Sequence, residues 1–234
     1  MMRLDSKVAI ITGASSGIGK AIALELAKEG AKVAIAARHL DFLYKVEKEI
    51  LQSGKEAIAF PMDVSNKDNW NEFIHKVIES WQKIDILINN AGIMPLSFIR
   101  NLRVDEWERM IDVNLKGVLF GTAAVLPYMR SQGYGHIVNI SSTAGRWLFD
   151  GGAVYCATKF AVNAFSEGFR QEITSTENIR MTLIEPGITA TNLPSTINDP
   201  DIRASSEDNP PIMPLQPSDI AAAVIYTLTQ PPQV

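Results

Sequence analysis

The stretch that most narrows the possible folds is an apolar run, Val8–Thr12, that passes without a break into Gly13-Ala14-Ser15-Ser16-Gly17-Ile18-Gly19 and then into an amphipathic segment, 18–29. Val and Ile favour a pleated, half-buried strand. The glycines let the backbone turn tightly and come close to a ligand, and the first amides of the helix behind them face outward, where a pyrophosphate can sit. Glycines alone say little. Here a strand precedes them, a helix follows, and a second apolar run, Lys32–Ala37, completes the βαβ length. The same residues also spell the Gly-x-Ser-x-Gly of a nucleophile elbow through Ser15. That chemistry needs a histidine base downstream, and His39, His75 and His136 have no triad-like surroundings.

The alternation continues along the chain. Residues 8–12, 32–37, 57–61, 84–89, 136–141 and 180–185 read as strands, and 18–29, 40–53, 67–81, 104–131, 153–174 and 218–229 as helices. Gly30, Gly54 and Gly133 fall where helices should stop. Strands separated by helix-length segments predict an α/β chain, a single-domain Rossmann fold with a doubly wound parallel sheet and helices on both faces. No linker or repeat divides residues 1–234, so one nucleotide-binding domain is expected. The stretch 192–217, rich in Pro, Asp, Ser and Asn, reads as a loop and a lid over a substrate.

Net charge −4 and a pI near 5.5, with no basic run, argue against a nucleic-acid surface. No uninterrupted apolar stretch of membrane-spanning length is seen, and Met1 to Ser6 lacks a signal segment. The single cysteine, Cys156, fits a reducing compartment. The expectation is a cytoplasmic protein away from membranes.

The second strand ends in Ala36-Ala37-Arg38-His39. NAD-preferring folds place an acid there, about 20 residues after the glycines, for the ribose 2′-hydroxyl. This chain has none, and Arg38 can pair with a 2′-phosphate through a charge-assisted fork, with Ser15 in reach. NADP(H) is therefore the expected cofactor. Further on, Tyr155 and Lys159 stand four apart, on one helix face. A phenol titrates near ~10, and a neighbouring ammonium favours its phenolate, which suits an acid/base catalyst. Ser142, at the end of a strand, can donate to a developing alkoxide.

Thr12-Gly13 through Gly19, Asp63-Val64, Asn89-Asn90-Ala91-Gly92, Asn114, Ser142, Tyr155 with Lys159, and Pro186-Gly187 followed by Thr191 together resemble the short-chain dehydrogenase/reductase family, in its core-length branch. The segment 188–193 and the C-terminal part look most like the subgroup of 3-hydroxy acid (serine) dehydrogenases and carbonyl reductases. The resemblance implies an NADPH-dependent oxidoreductase acting on a small carbonyl compound or alcohol. Tyr155 would be the acid/base, Lys159 would lower its pKa and hold the nicotinamide ribose, and Asn114 would bind a water linking Lys159 to solvent. For the cofactor it implies Gly13, Ser15, Ser16, Gly17, Ile18 and Gly19 at the pyrophosphate, and Asp63 and Val64 at the adenine. Asn90, Ala91 and Gly92 would pass the adenosine ribose, and Pro186, Gly187, Ile188 and Thr191 would flank the nicotinamide.

Met94, Ser142, Trp147 and Tyr155 would line the substrate pocket, with Arg146 as either a carboxylate clamp or a structural residue. Three histidines and one cysteine show no metal-ligand cluster, so no metal is expected. Ser141, Asn89, Cys156, Trp70, Trp81 and Trp107 read as scaffold or packing. Helices 104–131 and 153–174 carry more apolar surface than one buried face needs, and relatives pair them, which implies a homodimer or homotetramer. Family members usually continue with a short closing strand, whereas this sequence stops at Gln233-Val234. A non-catalytic NADP-binding regulator on the same fold is the alternative reading.

Overall fold

A computed structural model describes residues 3–206 and 213–231. Six strands, β1 (Val8–Thr12), β2 (Lys32–Ala37), β3 (Ala57–Pro61), β4 (Ile86–Asn89), β5 (Gly135–Ile140) and β6 (Ile179–Ile184), pair in the order β3-β2-β1-β4-β5-β6. Every pairing is parallel. β1, β4 and β5 are buried along their whole length, because helices cover both faces. That is why these runs are continuously apolar rather than alternating.

The two faces can be read residue by residue. Ala9 and Ile11 of β1 pack with α1 (Gly17–Lys28), α2 (Leu40–Gln52) and α8 (Pro217–Thr229). Their neighbours Val8 and Ile10 pack the other way, with Trp70, Phe73 and Val77 of α3 (Lys67–Trp81), Val125 and Met129 of the helix before β5, and Phe169. The chain winds outward from β1 to β3, then crosses back to β4. Strand order reverses between β1 and β4, and a crevice opens there at the carboxyl edge of the sheet.

Boundaries differ from the sequence expectation where side chains compete for backbone. β4 begins at Ile86, not residue 84, because the Gln132 amide pairs with Ile84: its Oε1 accepts from Ile84 N and its Nε2 donates to Ile84 O, each at 2.9 Å. The expected helix 104–131 is three pieces: α4 (Val104–Ile111), a π-helical turn (Asp112–Lys116) and α5 (Gly117–Gln132). Helix α6 (Ala153–Phe169) likewise ends in a π-helical turn, Arg170–Thr174. By length and apolar content Val104–Gln132 could cross a membrane. Its Met110, Val113, Val125 and Met129 are instead buried in the protein.

The expected loop 192–217 is partly helical. It holds a 3₁₀ turn, Leu193–Thr196, and α7 (Pro200–Ser206). Asp199 starts α7: its Oδ1 accepts from Asp201 N at 2.9 Å, and Pro200 follows at the first helical position. Residues 207–212 of that stretch lie outside the described residues, as does the chain end at Gln233-Val234.

Candidate active site

The crevice is a cavity of about 980 Å³ running across the carboxyl ends of the strands. One end lies under the glycine turn. Gly13 and Gly17 adopt left-handed backbone, with φ of 66° and 53°, which side chains resist. A Cβ on Gly13 would stand 2.9 Å from Ala91 Cα, and one on Gly19 would stand 2.4 Å from both Asn90 Nδ2 and Gly13 O. These glycines let the turn close down on the end of β4. Asn90 Nδ2 then donates to Thr12 O at 2.9 Å and Gly13 O at 3.3 Å, while Thr12 Oγ1 accepts from Asn90 N and Ala91 N. Ser16 starts α1 with no side-chain cap on the first turn, and Ser16, Gly17 and Ile18 line the cavity. A bare helix N-terminus behind a glycine turn suits a diphosphate.

Arg38 stands exposed on the same rim, beside Ser15 and His39. It is the one arginine among the described residues for which no hydrogen bond or ion pair is recorded. Asp63 also lines this end, but its carboxylate is occupied. Oδ1 accepts from Ser65 N at 2.9 Å and Ser65 Oγ at 2.6 Å, and Oδ2 pairs with Arg109. Burial pushes its pKa up, and the Ser65 and Arg109 bonds outweigh that, holding it below the ordinary carboxylate value.

Toward β5 and β6 the cavity meets Ser142, Tyr155 and Lys159. Ser142 follows β5 in extended backbone, and its hydroxyl bonds the Tyr155 phenol. Tyr155 is 6% exposed, in the first turn of α6. Lys159, one turn on, is equally buried, and its Nζ lies 5.8 Å from the Tyr155 ring centre. The expectation that Lys159 lowers the phenol's pKa is corrected here. Burial raises the phenol above 10.0, the Ser142 bond counters it without prevailing, and the Lys159 ammonium donates to Ile140 O at 3.0 Å. Burial also brings Lys159 itself down to about 8.

Asn114 does not reach the cavity wall. It is 1% exposed in the π-helical turn, where its Oδ1 accepts from Ile93 N and its Nδ2 donates to Ile93 O, both at 2.9 Å. The same Nδ2 donates to Thr158 Oγ1 at 3.2 Å, and Thr158 donates to Tyr155 O at 2.7 Å. Asn114 thus fixes both the loop after β4, at Ile93, and the first turn of α6. Pro186, Gly187, Ile188 and Thr191 line the cavity behind β6, and Pro186 O holds Thr143 N at 3.0 Å. Val64, Ala91, Gly92, Met94 and Trp147 line it as well. Of the residues expected at the site, Gly19 and Asn114 alone sit one layer behind the lining.

Arg146 is no clamp. Its guanidinium forks onto Glu185, at 2.7 Å to Oε1 and 2.9 Å to Oε2. Asn89 donates to Asn139 Oδ1 across β4 and β5, Ser141 bonds Asn163, and Cys156 is buried, as scaffold readings require. Sequence reasoning passed over Thr158, Leu96, Phe149 and Ile197, and the bonds that tie down segment 192–206. Asp199, 1% exposed, accepts from Ser97 Oγ at 2.7 Å and Asn101 Nδ2 at 2.8 Å, and Thr196 Oγ1 accepts from Met94 N at 3.1 Å. The Asp-Pro pair at 199–200 was the legible signal, a helix start inside an apparent loop.

Comparison with known proteins bears on the same residues. The family model described as short chain dehydrogenase matches residues 7–201. An uncharacterized oxidoreductase of Staphylococcus saprophyticus is 43% identical over 233 residues, covering 99% of this chain and 93% of that protein. Among solved structures, the closed form of a serine dehydrogenase complexed with NADP+ superposes with TM-score 0.88 at 34% identity, over 97% of this chain and 91% of that one. An alcohol dehydrogenase from Thermococcus sibiricus complexed with 5-hydroxy-NADP gives 0.85 at 33%, over 97% and 92%. A short chain dehydrogenase/reductase from Burkholderia phymatum in complex with NAD gives 0.87 at 26%, over 97% and 87%.

Proposed function

Because this chain belongs to the short-chain dehydrogenase family, we propose that it is an NADP(H)-dependent oxidoreductase interconverting a small carbonyl compound and its alcohol, with Tyr155 as the acid/base. The observation that carries the reading is the Ser142–Tyr155 hydroxyl pair on the cavity wall, one helical turn from the buried Lys159. Bound NADP(H) would supply or accept the hydride, and the chain's own groups do the rest.

The glycine turn and the α1 N-terminus would hold the diphosphate, and Arg38 with Ser15 the 2′-phosphate. Tyr155 gives its phenolic proton to the substrate oxygen in reduction and takes it back in oxidation. The Ser142 hydroxyl steadies the charge on that oxygen, a contribution that grows as the cavity excludes water. A phenol held above 10.0 by burial keeps its proton at neutral pH, which favours its service as the acid. Lys159, one helical turn on and tied to Ile140 O, would hold the nicotinamide ribose. Segment 192–206 acts as a lid, tied down through Asp199 and Thr196. We also take the protein to be a cytoplasmic homodimer or homotetramer, with exposed Ile111, Tyr128 and Phe160 on α4, α5 and α6 as the pairing surface. A monomeric mass by light scattering at micromolar concentration would refute that assembly.

The test of the chemistry is Tyr155→Phe. General acid–base groups contribute roughly 10²–10⁴ in rate, so turnover of NADPH with a panel of aldehydes and ketones should fall by that much, with NADPH affinity within a few-fold of wild type. Near-normal turnover would sink the mechanism.

A further inference from the structure

The two ends of the cavity differ in charge. The end under β2 offers Arg38 without a carboxylate partner, whereas the end beyond Tyr155 is walled by Met94, Leu96, Trp147, Phe149, Leu193 and Ile197. Trp147 is 64% exposed, so an aromatic surface lies at that mouth with no ion beside it in the lining. The nearby cations are engaged elsewhere. Arg146 forks onto Glu185, which Asn163 Nδ2 also holds at 2.7 Å. Arg103 forks onto Glu106, Arg100 stands 3.6 Å from Asp201, and Arg203 donates to Ile197 O at 2.9 Å. Lys159, the one cation in this part of the wall, gives its ammonium to Ile140 O. Residues 1–2, 207–212 and 232–234, outside the described set, contain no Lys, Arg or His.

We propose that this end selects uncharged, apolar carbonyl compounds and alcohols and rejects those that carry a carboxylate, 3-hydroxy and 3-oxo acids included. The inference rests on the carbonyl–alcohol reading above and departs from the serine dehydrogenase to which the chain is similar. A carboxylate entering an apolar wall loses its hydration and finds no paired cation, and such burial is strongly unfavourable. A hydrophobic wall tolerates a methyl group in the same place. The expected discrimination is on the order of 100-fold in kcat/KM.

The test compares matched pairs with NADPH: 4-methylbenzaldehyde against 4-carboxybenzaldehyde, and ethyl 3-oxobutanoate against 3-oxobutanoate, with serine oxidation by NADP+ alongside. A preference of tenfold or more for the uncharged member of both pairs supports the inference. A smaller preference, or efficient serine oxidation, overturns it. Met94→Arg should narrow the gap by at least threefold, and an unchanged gap in a folded variant counts against the charge argument.

If neither member of either pair is reduced while NADPH binds, the carbonyl–alcohol reading fails, and selectivity is then read from binding. Tryptophan fluorescence of the NADP+ complex is titrated with 4-methylbenzyl alcohol and with 4-(hydroxymethyl)benzoate. Tighter binding of the neutral alcohol by tenfold keeps the inference, and equal or tighter binding of the acid removes it.

Discussion

Lys159 should lower the stability of the protein that depends on it. An ammonium buried to 6% exposure, with its pKa brought from 10.5 to about 8, carries roughly 3 kcal/mol of destabilisation at neutral pH. Lys159→Met removes that charge and fills the space with apolar atoms. It also removes the bond to Ile140 O, worth about 1–2 kcal/mol once the carbonyl is left without that donor. The variant should therefore be more stable than wild type by about 1–2 kcal/mol at pH 7, a rise of roughly 2–8 °C in Tm for a chain this size. Turnover should be lost in the same variant.

The pH dependence separates this account from better packing. Below about pH 8 the lysine is charged in both the folded and unfolded chain, and the burial cost is present in full. Between about 8 and 10.5 the folded protein has released the proton while the unfolded chain retains it. The unfolded state then binds more protons, so wild-type stability rises with pH. Other groups titrating in this window are common to both proteins and cancel in the difference. Urea unfolding followed by circular dichroism at pH 7, 8.5 and 10, on nucleotide-free protein, should show the gap between variant and wild type narrowing at pH 8.5 and reversing by pH 10. A variant less stable at pH 7, or a gap that does not change with pH, refutes the reasoning.

Three further outcomes follow from the site. Arg38→Asp replaces an attraction by a repulsion at an exposed rim, so kcat/KM with NADPH should fall about 10–100-fold relative to NADH, less so at high salt; an unchanged cofactor ratio would overturn the phosphate assignment. Gly19→Ala puts a Cβ 2.4 Å from Asn90 Nδ2 and Gly13 O, so the turn must open and NADPH affinity, measured by fluorescence, should drop at least about tenfold. Wild-type affinity would show that the turn yields freely. Asp199→Ala takes one acceptor each from Ser97 and Asn101, which keep only the longer bonds to Phe98 O and Asp201 Oδ2, and it removes the bond that starts α7, a local loss of about 1–3 kcal/mol. Amide exchange across 197–206 should speed up and substrate KM rise with NADPH affinity unchanged; protection equal to wild type would mean that Asp199 does not hold the lid.

Much of the fold was readable because the sheet is covered on both faces. Residues 8–11 and 33–37 are apolar at every position, and their lengths and the helix-length gaps between them leave parallel pairing as the way to bury both sides. What periodicity could not reveal was backbone geometry set by single side chains. The pattern of 104–131 is that of an unbroken helix, and the π-helical turn within it shows only once Asn114 is seen bonded to Ile93. The start of β4 was misplaced by two residues for the same reason, since Gln132, forty-eight positions away, takes up the backbone of Ile84.

The reading of the site divides along a similar line. Ser142, Tyr155 and Lys159 come together because the end of β5 and the first turns of α6 place them, and the spacing of the last two already put them on one helix face. Asn90, Asp63 and Asn114 came from the same motif set, yet their side chains bind Thr12 O, Arg109 and Ile93. There is a physical cause. A cavity at the carboxyl edge of a parallel sheet is walled by strand ends and loops, whose amides and carbonyls have lost their ladder partners. Such groups cannot be buried unpaired, so the wall must draw short polar side chains from neighbouring loops before any ligand enters. Asn and Asp are suited to that task, because their amide or carboxylate copies the geometry of a backbone partner. A polar residue at a motif position therefore marks a bond that the site needs, and only the fold decides whether the other end is a ligand or the protein's own backbone.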